Sequence, residues 1–294
     1  MFVPMKNLLI HACEHQYAVM AINSVNMEST KAIIQAAQEE HSAAIINVSP
    51  RQMHAHAHGD ILTSMVKEMA KKVNVPIALS LDHGGDYEDL TKVMEYGFSS
   101  VMIDASGYEL EENIHRTATI ATLAHAMGLS VEGELGHVGM AKEMDNVKAD
   151  LYTNPAQAKE FVERTGVDCL AVAIGTAHGS YPGNFIPKLD FERLKVLKDT
   201  LKMPLVLHGG SGAGPDNIRK AVQCGINKIN VCTDVFIIGR QAMVDAADET
   251  PCIDYMDICI SAQEAMKKYI KDYMQLIGSS GQYTFGKSTS ASLD

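Results

Sequence analysis

Neutral imidazoles are good ligands for zinc and related borderline metals. A three-histidine set with an open position is catalytic in type, because substrate or water completes the shell. His83 in SLDHGGD, His178 in AIGTAHGSYPG and His208 in LVLHGGSG form such a set. One histidine alone would more often be an ordinary hydrogen-bonded side chain, but three at equivalent places reverse that reading. Carboxylates accompany them: Asp82 beside His83, Asp104 in MIDAS, and Glu132 and Glu134 in VEGELG. Asp104 and Glu134 are either further ligands, a second cation site, or outer partners that orient the imidazoles. A second constellation is glycine-rich, with HGGSG from His208 to Gly212 and INVCTD from Ile229 to Asp234. Such loops can hold phosphate on backbone N–H groups and a helix N-terminus. A glycine pair alone would only mark a tight turn, and its adjacency to His208 favours the phosphate. Arg51, in NVSPRQ, is either a bidentate partner for a distal phosphate or an ordinary surface cation. His54, His56 and His58 in MHAHAHGD read as a solvated or substrate-edge loop.

These groups are far apart in sequence and meet only if the chain brings strand ends together. Short apolar runs alternate with amphipathic segments of helical length, which is the pattern of βα units and a parallel sheet. Strands are expected at 17–23, 43–48, 76–81, 99–103, 129–134, 168–174, 204–207 and 228–231. Helices are expected after Asn26, Asp86, Glu109, Pro155, Asp190 and Pro215, where capping or first-turn residues stand. Eight regular units with no GxGxxG after the first strand favour a (β/α)8 barrel over an open doubly wound sheet. Barrel enzymes build their sites at the carboxyl ends of the strands, where strands three to seven here each contribute a polar group. One domain is expected over 1–294, with an extra helical extension at 248–277 and a mobile Gly/Ser-rich tail at 278–294.

With 46% hydrophobic residues in 294, the chain can bury one large core. A net charge of −11 with no Lys/Arg run argues against nucleic acid as a partner. No apolar run approaches the roughly 20 residues of a membrane helix, so no membrane association is expected. The N-terminus MFVPMKNLLIHACEHQ turns polar too early for a secretory signal. The six scattered cysteines read as reduced thiols. A cytoplasmic location follows. The 17 methionines are read as core filling.

The segments LDHG, MIDAS, VEGELGHVG, AIGTAHG, LVLHGGSG and KINVCTD, in that order, resemble the class II ketose-bisphosphate aldolases. The likeness runs from YAVMAINSVN, which is similar to that family's first strand and brings Asn23 to the substrate, to the GSSGQ segment. By resemblance His83, His178 and His208 hold a catalytic Zn2+, Asp104 and Glu134 match a second divalent-cation site, and Asp82 handles the proton at the aldehyde oxygen. Gly179, Gly209, Gly210, Ser211, Asn230, Val231, Cys232 and Thr233 match the segment that binds dihydroxyacetone phosphate. The implied substrate is a phosphorylated ketose, fructose or tagatose 1,6-bisphosphate by default, and the implied assembly a homodimer or homotetramer.

Chemistry agrees with the resemblance, since retro-aldol cleavage leaves a carbanion beside a carbonyl and a cation spreads that charge. A lysine Schiff base would do the same, but Lys228 is the one lysine near a strand end with the other groups, and it precedes the phosphate loop. Two departures concern the proton at the ketose carbon and the distal half of the sugar. The stretch GMAKEMDN replaces the family's glycine pair and acidic residues, leaving Glu143 as the nearest base and Asp145 as the fallback. Cys232 stands where many fructose-bisphosphate members carry Asp, which leans toward the tagatose-like branch. A metal hydrolase on the same barrel, or a sugar-phosphate sensor that lost proton transfer, are the competing readings.

Overall fold

The computed structural model describes residues 1–143, 151–183 and 185–284. Eight parallel strands close into a barrel in sequence order: β1 Val19–Asn23, β2 Ala44–Val48, β3 Ile77–Gly84, β4 Ser100–Ile103, β5 Ser130–Leu135, β6 Cys169–Val172, β7 Leu205–Leu207 and β8 Ile226–Val231. Closure is by β1 on β8, where Ala21 pairs with Asn230. The strands lie within a few residues of the expected bounds, with β3 running on to Gly84 and β8 starting at Ile226.

Period-two alternation sorts each strand into an outer and an inner row. Met20, Ile22, Ile46, Leu79, Leu81, Val101, Ile103, Leu170 and Ile229 face the helices in one large core. Val19, Ala21, Ile45, Ala78, Met102, Cys169, Ala171 and Val206 fill the barrel interior. Continuing each inner row by two residues reaches Asn23, Asn47, Ser80 then Asp82, Asp104, and His208, all toward the carboxyl end of the strands.

The ring of helices consists of α2 Met27–Glu39, α4 Gly59–Ala70, α5 Tyr87–Tyr96, α6 Leu110–Ala126, α7 Pro155–Thr165, α8 Phe191–Leu201, α9 Pro215–Gln223 and α10 Thr233–Glu249. The short helix α3 Pro50–Gln52 continues into a π-helical turn, Met53–Ala57, between β2 and α4. Asn26, Asp86 and Asp190 accept backbone N–H groups at the starts of α2, α5 and α8, as their residue types demand. Helix α1, Met5–Glu14, has no counterpart in the expected elements: Met5, Leu8, Leu9 and Ala12 plug the amino-terminal mouth of the barrel. Its first turn is tied to the strands by Met5 N–H to Ser100 Oγ at 3.0 Å and Lys6 N–H to Ser130 Oγ at 2.9 Å.

The added helix α11 is Tyr255–Leu276, packed on α10 and α2. The extension therefore begins at 255 and not at 248, because α10 continues to Glu249 and stops where Thr250, ahead of Pro251, turns extended. The start of the expected mobile tail is tied down: Gly281 N–H donates to Glu40 O at 2.8 Å and Tyr283 N–H to His41 O at 2.9 Å. Residues 285–294 lie outside the described part. No described helix is long and apolar enough to cross a membrane.

Candidate metal centre

Along a regular strand, consecutive side chains point to opposite faces, yet both Asp82 and His83 reach the barrel mouth. A register shift between Leu81 and Gly84 and a positive φ of 55° at His83 explain this. The bulge re-aims His83 while leaving Asp82 in the inner row.

His83, His178 and His208 converge: one nitrogen from each lies within 4.8 Å of the others. His83 Nδ1 is 2.7 Å from Asp104 Oδ2, and His208 Nε2 is 2.8 Å from Glu132 Oε1. Carboxylates only accept, so each ring spends its N–H there and turns its other nitrogen inward. Those inward nitrogens, His83 Nε2 and His208 Nδ1, are 2.8 Å apart. Two lone pairs at that distance repel unless a proton or a cation lies between them. His178 Nε2 is buried with no hydrogen-bond partner among the described residues. This donor set fits a divalent cation of borderline softness.

The charges are unevenly distributed. Burial works against protonating His83, but Asp82, Asp104 and Glu134 outweigh it and hold its pKa at about 10. Burial, then the His83 charge and the neighbouring His208 ring, push His178 down to about 3. Burial and His83 likewise lower His208. Asp82 resists its own burial: the charge on His83, the His208 ring, the charge on Lys228 and the Asn23 amide keep it below the usual carboxylate range. Asn23 Nδ2 donates to Asp82 Oδ2 at 3.0 Å and Asn230 Nδ2 to Oδ1 at 2.9 Å, so the group is held as a carboxylate.

Asp104 is set by Ser106, whose N–H and hydroxyl reach Oδ1 at 3.1 and 2.7 Å. As placed, it orients His83. Glu134 accepts Val138 N–H on Oε1 at 3.1 Å, while its buried Oε2 has no described hydrogen-bond partner. Burial and Asp104 raise its pKa to about 8. His83, Asp104 and Glu134 form a second cluster compact enough for a cation.

A small cavity opens beside the histidines. Asp82, Asn23, Gly179, Gly209, Ser211, Asn230, Cys232 and Thr233 line it together with His178 and His208. Gly209 has φ +68°, and a Cβ there would lie 2.5 Å from Ala177 O. Glycine is therefore required where the two histidine loops touch. Thr233 starts α10, whose N–H groups and dipole favour an anion.

Four residues expected to contact the substrate or move its proton do not line this cavity. Val231 points its side chain into the outer core, and Gly210 uses its N–H on Asn230 O at 3.0 Å. Arg51 is exposed, because the capping box of Ser49 and Gln52 turns Gln52 inward in its place. Gln52 Oε1 accepts from Asn23 Nδ2 at 3.0 Å, and its Nε2 is 3.5 Å from Cys232 Sγ. Glu143 is exposed on a short 3-10 turn, Ala141–Glu143. That turn is clipped to a histidine: His178 N–H donates to Gly139 O at 2.8 Å and Ala141 N–H to His178 O at 2.9 Å. Asp145 lies outside the described residues. Among His54, His56 and His58, His54 pairs with Asp89 at 2.8 Å on the surface.

The sequence matches the family described as fructose-bisphosphate aldolase class-II over residues 3–282. It is 40% identical over 286 residues to a Bacillus subtilis (strain 168) protein named "Probable fructose-bisphosphate aldolase", spanning 95% of this chain and 99% of that one. It is 38% identical over 283 residues to the fructose-bisphosphate aldolase of Geobacillus stearothermophilus, spanning 95% and 98%. The crystal structure of the YdjI aldolase from Escherichia coli K12 superposes with a TM-score of 0.83 at 34% identity, covering 97% of this chain and all of that one.

Proposed function

The chain belongs to the class II fructose-bisphosphate aldolase family and is an aldehyde-lyase, and we propose that it reversibly cleaves a ketose 1,6-bisphosphate of the fructose or tagatose type. The products are dihydroxyacetone phosphate and an aldehyde, and the resident cation is one Zn2+ held by His83, His178 and His208. The observation that carries this reading is the pair of imidazole nitrogens turned on each other at 2.8 Å, with a proton where the cation would sit, each ring anchored by its own carboxylate. When bound, the cation supplies Lewis-acid stabilisation of negative charge on the substrate oxygens.

The protein's own groups do the rest. Asp82, ionised and gripped by two amides, accepts the proton of the hydroxyl on the carbon that becomes the aldehyde, as the carbon–carbon bond breaks. It returns that proton in condensation. The carbon left behind must be protonated by another group, and Glu143 is proposed for it, supported by the clip between its turn and His178. Gly179, Gly209, Ser211 and the start of α10 receive the phosphate on N–H groups, with Asn230, Cys232 and Thr233 along the same wall. Gly210 and Val231 act through backbone alone. A second divalent cation at Asp104 and Glu134 is part of the proposal, supported by the buried Glu134 Oε2, which has no hydrogen-bond partner among the described residues.

The proposal extends to a cytoplasmic homodimer or homotetramer. Six free thiols support the compartment, and exposed Tyr255, Met256 and Ile260 on α11 support self-association. The test is a coupled assay of triose-phosphate release over ketose phosphates that differ at the distal carbons. Cleavage of fructose or tagatose 1,6-bisphosphate is expected, and activity confined to other compounds would overturn the substrate assignment.

A further inference from the structure

Beneath the histidines, the carboxylate that anchors His208 is also half of a buried ion pair, whose lysine the reading so far leaves without a role. Glu132 on β5 and Lys228 on β8 are 0% and 1% exposed, with Lys228 Nζ 2.6 Å from Glu132 Oε2. Their strands are not neighbours, so the pair spans the barrel. Each stands two residues before a group at the mouth, Glu134 and Asn230, which places both one inner layer below the site. Removing two such charges from water costs several kcal/mol per ion, and apolar residues of similar size often serve stability as well or better. Stability alone does not account for the pair.

The oxygens of Glu132 divide its partners. Oε2 takes Lys228 Nζ and lies 3.7 Å from Cys169 Sγ, while Oε1 faces His208 Nε2 at 2.8 Å. We propose that Glu132 and Lys228 are a positioning pair for His208: Lys228 fixes the carboxylate, the carboxylate accepts Nε2–H, and Nδ1 is thereby the atom presented to the cation. The inference rests on the metal-centre reading given above. It assigns Lys228 an anchoring role in place of Schiff-base chemistry, since its ammonium is buried and spent on Glu132.

The test compares Zn2+ dissociation constants, by chelator competition at fixed pH, for wild type, H178A, E132Q, E132Q/K228M and E132L/K228M, alongside metal-free melting temperatures. In E132Q the ammonium of Lys228 draws the amide oxygen, so the amide NH2 faces His208 and forces the other tautomer. Affinity is expected to fall 10- to 100-fold, the usual effect of losing a ligand's orienting partner. Adding K228M frees the amide to turn its oxygen to Nε2–H, and most of the affinity returns. A purely structural pair predicts no such recovery in affinity, whatever the melting temperatures do. If E132Q does not fold, the two double variants decide: the glutamine version keeps an acceptor for Nε2–H and is expected to bind at least tenfold tighter than the leucine version. Wild-type affinity in E132Q, a double variant no tighter than E132Q, or equal affinity in the two doubles overturns the positioning role alone. Equal binding by wild type and H178A instead overturns the metal-centre reading on which it rests.

Discussion

Zinc binding should become tighter with rising pH, with a slope set by one histidine. His83 holds its proton up to about pH 10 in the metal-free protein, whereas His178, at about 3, and His208, also lowered, are already neutral near pH 7. The cation must displace the His83 proton. Binding therefore competes with a proton held more tightly than by a free imidazole, and affinity rises with pH until about 10. Between pH 6.5 and 8.5 the deprotonated fraction of His83 grows about 100-fold, so the dissociation constant should fall about 100-fold, roughly 2.7 kcal/mol. Chelator competition corrected for the chelator's own protonation gives the slope. Calorimetry in two buffers of different ionisation enthalpy gives the protons released, about one per metal. A flat profile would refute the assignment of that proton to His83. A slope near two would show that a second group gives up its proton as well, and Glu134, at about 8 and beside His83, is the one placed to do so.

Asp82→Ala should lower turnover by about 10²- to 10⁴-fold while leaving bound zinc unchanged, because the carboxylate moves a proton and is not one of the three ligands; zinc loss on metal analysis would contradict this. Gly209→Ala should destabilise the protein by about 1–3 kcal/mol and raise KM, since a left-handed φ and a Cβ 2.5 Å from Ala177 O strain the joint between two histidine loops; an unchanged melting temperature would count against it. Arg51→Ala should leave KM within about twofold, as expected of an exposed side chain away from the cavity, whereas Gln52→Ala, which releases the Asn23 amide, should raise KM. Glu143→Gln should slow exchange of the ketose-carbon proton with solvent about 10²-fold or more and spare zinc binding; unaltered exchange would move that role elsewhere.

The eight strands and the convergence of histidines were legible because a closed barrel turns period-two patterning into position: Asp104, Glu134 and His208 are inner-row residues at the mouth. His83 broke that logic. Strict alternation sends it outward, and only the following Gly84-Gly85 hints at the bulge that brings it back. The SPRQ segment carries a readable capping box, Ser49 with Gln52, but that the cap turns Gln52 inward and leaves Arg51 exposed depends on the contact with Asn23, which lies on another strand. Helix α1 was likewise written in the spacing of Met5, Leu8, Leu9 and Ala12, but nothing local says that its apolar face closes a barrel. Glu132 and Lys228 could not be paired from sequence, since their partnership exists only across the barrel interior.

The most direct test of a cation held by three imidazoles is cleavage of a ketose 1,6-bisphosphate by protein stripped with a chelator and then titrated with Zn2+. Activity should vanish on stripping and return in proportion to zinc bound, in wild type but not in His178→Ala. Cleavage by the stripped protein at the untreated rate would contradict the account.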